Sequence, residues 1–235
     1  MSSKETAKAS PEAKTPPPGW YGVYSGLVVE VRDPDRQGRI KVRLPWVLEA
    51  GGDPYEAWAR LATLMAGNHR GSWFIPEVDD EVLLAFEGGD PSRPYILGAL
   101  WNGRDTPPAE MDDASKNELK VLRSRNGLQI TLVDQDGRER LELETPGGQQ
   151  VTLKDGPGEI EIRDSNGNRI LLSSAGIEVD ASASVKVNAT YVQVSAAMVR
   201  VDAGLSRFSG VVECDTLITN SVISSSYTPG AGNIW

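Results

Sequence analysis

The side chains that most often catalyse reactions or bind metals are scarce in this sequence. Its 235 residues include one histidine, His69, and one cysteine, Cys214. Acid–base and nucleophilic catalysis both need a second group within reach of the first, and no motif supplies one here. We therefore predict that His69 lies in a surface loop, that Cys214 is a buried small apolar residue, and that no residue is catalytic.

Carboxylates are the remaining candidates for a metal site. Four stand close together in the sequence: Glu77, Asp79, Asp80 and Glu81. Their spacing differs from that of a calcium loop, so we predict a solvated turn. A single cysteine excludes a disulfide framework and a cysteine-based zinc site, and the glycine-rich stretches lack the Gly-Lys-Ser/Thr of a phosphate-binding loop. The sequence predicts no metal and no cofactor.

Charge and hydropathy exclude two further classes of protein. The net charge of −9 argues against a general nucleic-acid binder, which gains affinity by neutralising phosphates. No run approaches the ~20 apolar residues of a membrane span. The N-terminus lacks the apolar core of a secretory signal. Residues 1–19 are polar and proline-rich, and are predicted to form a flexible arm.

The aromatic residues divide the chain into two different halves. Of 15 Phe, Trp and Tyr residues, 11 occur by Trp101, and none lies between Asn102 and Thr190. Aromatic rings supply much of the buried area of compact cores. The first half can therefore form a compact domain, whereas the second half must bury its apolar residues in another way.

Residues 20–108 carry the pattern of a small closed barrel. Five short strands with Gly and Pro corners are predicted: Tyr24–Val31, Gly38–Trp46, Trp58–Leu64, Glu81–Phe86 and Pro94–Gly98. In the second strand Ile40, Val42 and Leu44 share one face. Four tryptophans are predicted to pack in the barrel core and between subunits: Trp46, Trp58, Trp73 and Trp101.

After a connector at residues 109–118, residues 119–235 repeat an apolar–x–apolar pair. From Val185 the unit tightens to seven residues, which indicates a solenoid or array. The apolar residues lie at i, i+2 and i+4, which excludes a coiled coil and favours strands. Because one narrow strand face cannot be covered by one chain, an intertwined trimer is predicted, with a single-chain parallel β-helix as the alternative. The predicted axis residues are Ile160, Ile162, Ile177, Val179, Val185, Val187, Val192, Val194, Val199 and Val201.

The barrel segment resembles the phage baseplate assembly protein V and VgrG spike family. Three blocks carry the resemblance: residues 31–46, residues 58–86 with Trp58-Ala-Arg60 and Ile75-Pro-Glu-Val-Asp-Asp-Glu81, and residues 89–102. Their most characteristic residues are Gly38, Arg39, Pro45, Trp46, Asp90, Pro91, Gly98 and Trp101. The resemblance implies an all-β chain: an OB-fold barrel followed by an intertwined trimeric β-helix or β-prism needle. It also implies a homotrimeric central spike of a phage tail or contractile injection system, which punctures an envelope mechanically.

The departures from that family refine the expected partners. About 19 residues precede the barrel, so a separate hub protein is expected above it. No His-x-His pair is present to form an iron-bound tip. A PAAR-repeat tip protein is therefore expected below an apex near residues 226–235, bound through Tyr227 and Trp235. The particle is expected to assemble in the bacterial cytoplasm and to contact the target membrane only transiently.

Two other functions remain open from the sequence. An OB barrel on a β-stalk is also the plan of an adhesin that binds a glycan or receptor, and an envelope-degrading enzyme is the third hypothesis. Arg39, Lys41 and Arg43 line one face of a predicted strand, as they would in a barrel that binds nucleic acid. In a trimeric spike, we expect them instead to meet acidic residues of the hub or of a neighbouring protomer.

Overall fold

The computed structural model describes residues 19–49 and 51–226 of the chain. Five strands close into a barrel: β1 (Tyr24–Glu30), β2 (Ile40–Leu48), β3 (Pro54–Leu61), β6 (Glu81–Phe86) and β7 (Pro94–Ala99). Two-residue strands β4 (Ala66–Gly67) and β5 (Arg70–Gly71) form a hairpin between β3 and β6, and a 3₁₀ turn spans Glu87–Gly89. The predicted five-stranded barrel is confirmed.

The barrel order is β1-β2-β3-β7-β6, and only β3 and β7 pair in parallel. Strand β3 begins at Pro54, four residues before the predicted start, because the Gly51-Gly52 turn brings it directly alongside β2. Among the described residues, no helix is long and apolar enough to cross a membrane.

The barrel core is aliphatic rather than tryptophan-rich. Ile40, Val42 and Leu44 alternate along β2 with no exposed surface, and each such side chain contributes about 1.5–3 kcal/mol when fully buried. By contrast, Trp46, Trp73 and Trp101 are 48%, 76% and 69% exposed. The prediction that these three pack in the barrel core is wrong, because the interior of a five-stranded barrel is narrow and is filled by branched aliphatic side chains; their packing between subunits stays a prediction.

Aromatic rings cover one end of the barrel. The Trp20 ring lies 5.0 Å from Phe86 and 5.6 Å from Trp46 and Tyr55 between centroids. Tyr24 stacks on Trp46 at 5.0 Å, and the Trp46 indole N–H donates to the Ser25 carbonyl at 3.0 Å. This group closes the end at which β1 and β7 begin and β6 ends; we call it the aromatic cap.

The loop between β1 and β2 is organised by one carboxylate. Asp33 accepts hydrogen bonds from the backbone amides of Asp35, Gln37 and Arg39, and the Arg39 guanidinium binds it at 2.7 Å. The Arg39 guanidinium and these amides hold the pKa of the Asp33 carboxyl well below its usual range. Gly38 follows with φ of 73°, a backbone conformation that favours glycine.

Residues 119–180 form one antiparallel sheet of seven five-residue strands in chain order. They are β8 (Leu119–Arg123), β9 (Gln129–Val133), β10 (Arg140–Glu144), β11 (Gln150–Lys154), β12 (Glu159–Arg163), β13 (Arg169–Ser173) and β14 (Gly176–Asp180). The all-β prediction is confirmed. The early apolar–x–apolar pairs, however, belong to hairpins that pair within one chain and not to the coils of a winding chain.

Turns along one side of this sheet are stacked closely. Gly127, Gly148 and Gly167 have φ of 88°, 83° and 87°. A Cβ on Gly127 would lie 3.3 Å from Pro146 of the next turn, and one on Gly148 would lie 3.4 Å from Ser165. In the third turn the side chain and backbone of Asn168 lower the pKa of Asp164 to about 2. Glycine at these positions therefore permits both the turn and the close approach of its neighbour.

Residues 185–226 form part of a separate compact unit. In one chain they contain no strand, and every described side chain is exposed. The short strands predicted for the seven-residue units are therefore absent from a single copy. A strand needs a hydrogen-bonding neighbour, and none is present here among the described residues. Cys214 is exposed in one copy, so its predicted burial would require the other chains and stays a prediction.

The Asp33 loop yields a prediction about stability and pH. The folded-state pKa of Asp33 is lowered, so its contribution is present above the unfolded pKa of about 3.9 and is lost as pH falls through the folded value. We expect Asp33→Asn to lower the melting temperature at neutral pH, and we expect the difference from wild type to narrow below about pH 4. Circular dichroism melts across this pH range measure both effects.

Asp35→Asn is the matched control, because the Asp35 carboxylate is 59% exposed and meets the same guanidinium. It should change the melting temperature little. An equal loss in both variants, or a difference that does not depend on pH, would contradict the role assigned to Asp33.

Candidate assembly surface

Strand register gives the seven-stranded sheet one apolar face. Directly opposed residues share a face, and Leu143 lies opposite both Ile130 and Val151, while Ile162 lies opposite Val151 and Ile170. Two apolar rows therefore cross the sheet. One contains Leu122, Ile130, Leu143, Val151, Ile162, Ile170 and Val179; the other contains Leu132, Leu141, Leu153, Ile160, Leu172 and Ile177.

This apolar face is uncovered in one copy of the chain. Ile160 and Ile162 are 40% and 45% exposed, and Ile177 reaches 71%. Soluble monomers rarely leave so continuous an apolar patch in water. The predicted axis residues at 160, 162, 177 and 179 all lie on this face, and the same register extends it back to Leu122. The apolar pairs before Ile160 lie on this face too, although the predicted axis residues begin at Ile160.

The opposite face of the sheet is polar and laced with ion pairs. Arg169 lies 2.8 Å from Glu161 and 3.3 Å from Glu178 across neighbouring strands, and Glu161 raises the pKa of the Arg169 guanidinium. Lys154 binds Glu159 at 3.1 Å. Beneath such side chains Thr131, Val133 and Thr152 are at most 7% exposed, so this face is covered within one chain. The sheet is therefore two-sided, and its apolar side is the one that needs a cover.

One barrel residue reaches the apolar face. Phe74, in the segment between β5 and β6, lines the same groove as Leu122, Ile130 and Leu143. Nearby, the Arg125 guanidinium binds Glu77 at 2.8 Å and so links the first turn of the sheet to the barrel. Sequence reasoning did not single out Phe74, because an isolated aromatic residue in a loop carries no periodic signal.

The apolar repeat continues beyond the sheet with the same exposure. Val187, Val194 and Val201 are 70%, 71% and 70% exposed, and Val185, Val192 and Val199 lie between 60% and 64%. Nothing in one chain covers them within the described residues. Their assignment to a trimer axis remains a prediction.

The predicted barrel motif residues are spread over the loops and both ends of the barrel. Asp90 accepts from the Ser92 amide at 2.9 Å, and the Pro91 carbonyl accepts from the Tyr55 hydroxyl at 3.1 Å. Gly38 and Arg39 shape the Asp33 loop, Pro45 and Trp46 lie near the end of β2, Gly98 lies in β7, and Trp101 follows it. They form no single cluster.

The basic residues of β2 find their partners in their own chain. Arg39 pairs with Asp33 and Asp35, while Lys41 and Arg43 both bind Glu56, at 2.7 and 2.9 Å. The expectation that these cations meet a hub or neighbouring protomer is wrong for these pairs, because acidic side chains lie beside them within the barrel. Neutralised in this way, they also make a weak phosphate-binding surface.

The remaining candidates for chemistry lie apart from one another. His69 occupies the tip between β4 and β5 with φ of 52°. In the acidic segment, Asp80 accepts from the Glu77 amide at 2.8 Å as part of a turn. No cluster of three or more metal-ligating side chains occurs in residues 19–49 or 51–226. The described residues do not include Tyr227, Trp235 or the N-terminal residues 1–18.

The two-sided sheet yields a prediction about assembly. Ile162→Asp places a charge on the apolar face, where covering it would bury an unpaired carboxylate. We expect this variant to lose its oligomeric state, measured as molar mass by light scattering. Glu161→Asp is the control, since Glu161 lies on the polar face and the change keeps its charge. An Ile162→Asp variant with the wild-type mass would show that this face does not form an interface.

Comparison with known protein families finds matches to both parts of the chain. A type VI secretion system/phage-baseplate injector OB domain matches residues 24–101. A phage baseplate V C-terminal trimerisation domain matches residues 140–204. The first match covers the barrel strands, and the second covers β10 to β14 and the seven-residue repeat as far as Gly204.

Individual relatives include spike proteins and a toxin. The chain is 27% identical over 250 residues to the type VI secretion system spike protein VgrG1a of Pseudomonas aeruginosa, covering 94% of this chain and 38% of the relative. It is 31% identical to VgrG3 of Vibrio cholerae over 46% of this chain and 11% of the relative. The actin cross-linking toxin VgrG1 of Vibrio cholerae is 28% identical over 46% of this chain and 10% of the toxin. The chain thus spans well under half the length of these curated relatives.

Proposed function

We propose that this chain, whose residues 24–101 match an injector OB domain and whose residues 140–204 match a phage baseplate V trimerisation domain, forms the homotrimeric central spike of a contractile injection system or phage tail. In this proposal the trimer joins a separate hub protein to a PAAR-repeat tip protein and punctures the target envelope by mechanical force.

The observation that carries the proposal is the uncovered apolar face. It runs across all seven strands of the sheet, with ion pairs on the opposite side, and the valines from Val185 to Val201 are exposed as well. Three copies around one axis would bury three such faces against one another and leave the three polar faces in water. The match to a trimerisation domain over residues 140–204 supports this number of copies.

Such an assembly acts by resisting force. In one chain the valines of residues 185–201 have no cover, so their order depends on the other two chains. No unit can then open without exposing apolar surface on all three, and this makes unfolding cooperative. In this role the spike needs neither a catalytic residue nor a cofactor, and it performs no enzymatic step.

The two ends of the barrel suit different neighbours. The connector leaves from the end of β7, so the aromatic cap lies at the barrel end away from the sheet. Around the cap, Val23, Trp46 and Leu48 are 58%, 48% and 65% exposed. We assign the hub to this end, because an apolar rim over a rigid aromatic group suits a stable protein contact.

The tip protein is assigned to the other end of the chain. Tyr227 and Trp235 are the proposed contacts, on the strength of the sequence. The particle would assemble in the bacterial cytoplasm before its spike is driven outward, and its contact with the target membrane would be brief.

The proposal predicts a homotrimer that resists sodium dodecyl sulfate without boiling. Val194→Asp should abolish this species, since three carboxylates would meet near the axis without partners. Val187→Asp should act in the same way. Gel electrophoresis without heating and light scattering measure the effect.

The control is the adjacent Gln193→Asp variant, because residues 193 and 194 point to opposite sides of an extended chain. It should remain trimeric. A monomeric wild-type protein, or an intact Val194→Asp trimer, would refute the proposed architecture.

A further inference from the structure

The segment that connects β3 to β6 carries an unusual set of side chains. We call residues 62–76 the β3–β6 arm; it contains the β4–β5 hairpin. The arm has no aspartate or glutamate, although the whole chain has 33. Its one formally charged side chain is Arg70, with His69 beside it. The carboxylates of this connection, Glu77, Asp79 and Asp80, all lie between the arm and β6.

Large apolar side chains of the arm are exposed in one copy. Leu64 is 99% exposed and Met65 51%, while Trp73 and Phe74 are 76% and 66% exposed. Ile75, in contrast, packs against the barrel core and fixes the arm's end. Four exposed large apolar side chains in one short segment depart from the singly scattered apolar residues that are normal on a soluble surface.

Strand directions place the arm at the barrel end nearest the sheet. Strands β3 and β7 are parallel, and β6 is antiparallel to β7. The chain therefore leaves β3, enters β6 and leaves β7 towards the sheet at one common end, opposite the aromatic cap. Phe74 of the arm lines the groove on the sheet's apolar face, and Glu77 just beyond it binds Arg125 at 2.8 Å.

The local contacts of Trp73 leave most of its ring available. A Cβ on Gly38 would lie 3.2 Å from this ring, so the indole rests on the glycine of the Asp33 loop. That contact supports the ring from one side, yet 76% of the residue remains exposed. A supported, rigid aromatic ring is well suited to anchor a protein contact.

We propose that the β3–β6 arm is a docking surface for a second copy of this chain, with Leu64, Met65 and Trp73 packing against the neighbouring protomer. The arm continues the apolar face through Phe74, so a protomer that covers the face would also meet the arm. In the trimer, the contact would attach each barrel to a neighbouring protomer. This inference rests on the proposed homotrimer and adds an interface that neither matched domain description names.

Photo-crosslinking tests this contact in the intact protein. Leu64 is replaced by p-benzoylphenylalanine, which its exposure allows without loss of intrachain packing, and the trimer is confirmed by light scattering before irradiation. We expect denaturing gels to show bands with the mass of two and three chains. The matched control carries the same residue at Leu48, a 65% exposed leucine at the aromatic-cap end.

The outcomes separate this inference from the proposed function. A monomeric protein before irradiation would refute the homotrimer itself. In a confirmed trimer, a yield at Leu64 no higher than that at Leu48 would overturn the arm contact and leave the homotrimer standing.

A second measurement does not depend on the crosslinker. Because Leu64 is almost fully exposed in one chain, Leu64→Ser removes almost no contact within that chain and should leave an isolated protomer unaffected. A fall of several degrees in the melting temperature of the trimer would report a contact with another copy. An unchanged melting temperature would count against the proposal, and Leu48→Ser provides the control.

Discussion

Seven strands of this chain share one apolar face, and one copy of the chain leaves that face in water. Most other features follow from this constraint. On the polar face, charged side chains pair within the sheet, as Arg169 does with Glu161 and Lys154 with Glu159. This face therefore needs no second chain to neutralise its charges. The apolar face cannot be satisfied in the same way, since apolar side chains gain free energy only by leaving water. The register of the strands therefore favours assembly, because it places the apolar residues on one face.

Strand register also explains why the sheet tolerates no shift. Side chains alternate with a period of two, so a slip by one residue would move every apolar residue to the polar face. The stacked turns oppose such a slip. Gly127 and Gly148 adopt positive φ and accept a neighbouring turn at close range, which fixes each hairpin relative to the next. The turns thus hold the apolar rows in line across the sheet.

The barrel pairs charged side chains internally, as Asp33 does with Arg39. The basic side chains in and just before β2 pair with Asp33, Asp35 and Glu56 within the same chain, which weakens this strand as a basic face for nucleic acid. What remains is a rigid body with two unlike ends. One end carries the aromatic cap, and the other carries the exposed arm and the Glu77–Arg125 link to the sheet.

Periodicity in the sequence determined the strands and their apolar sides. Alternation in β2 predicted burial of Ile40, Val42 and Leu44, and the apolar–x–apolar pairs predicted a strand-based second half. Sequence could not decide which strands pair, because pairing depends on where the turns return the chain; tertiary structure alone shows a sheet made of hairpins. It likewise decided that Glu56 neutralises Lys41 and Arg43, and that Trp73 lies at the surface. Those facts depend on residues far apart in sequence, whose proximity only the folded chain creates.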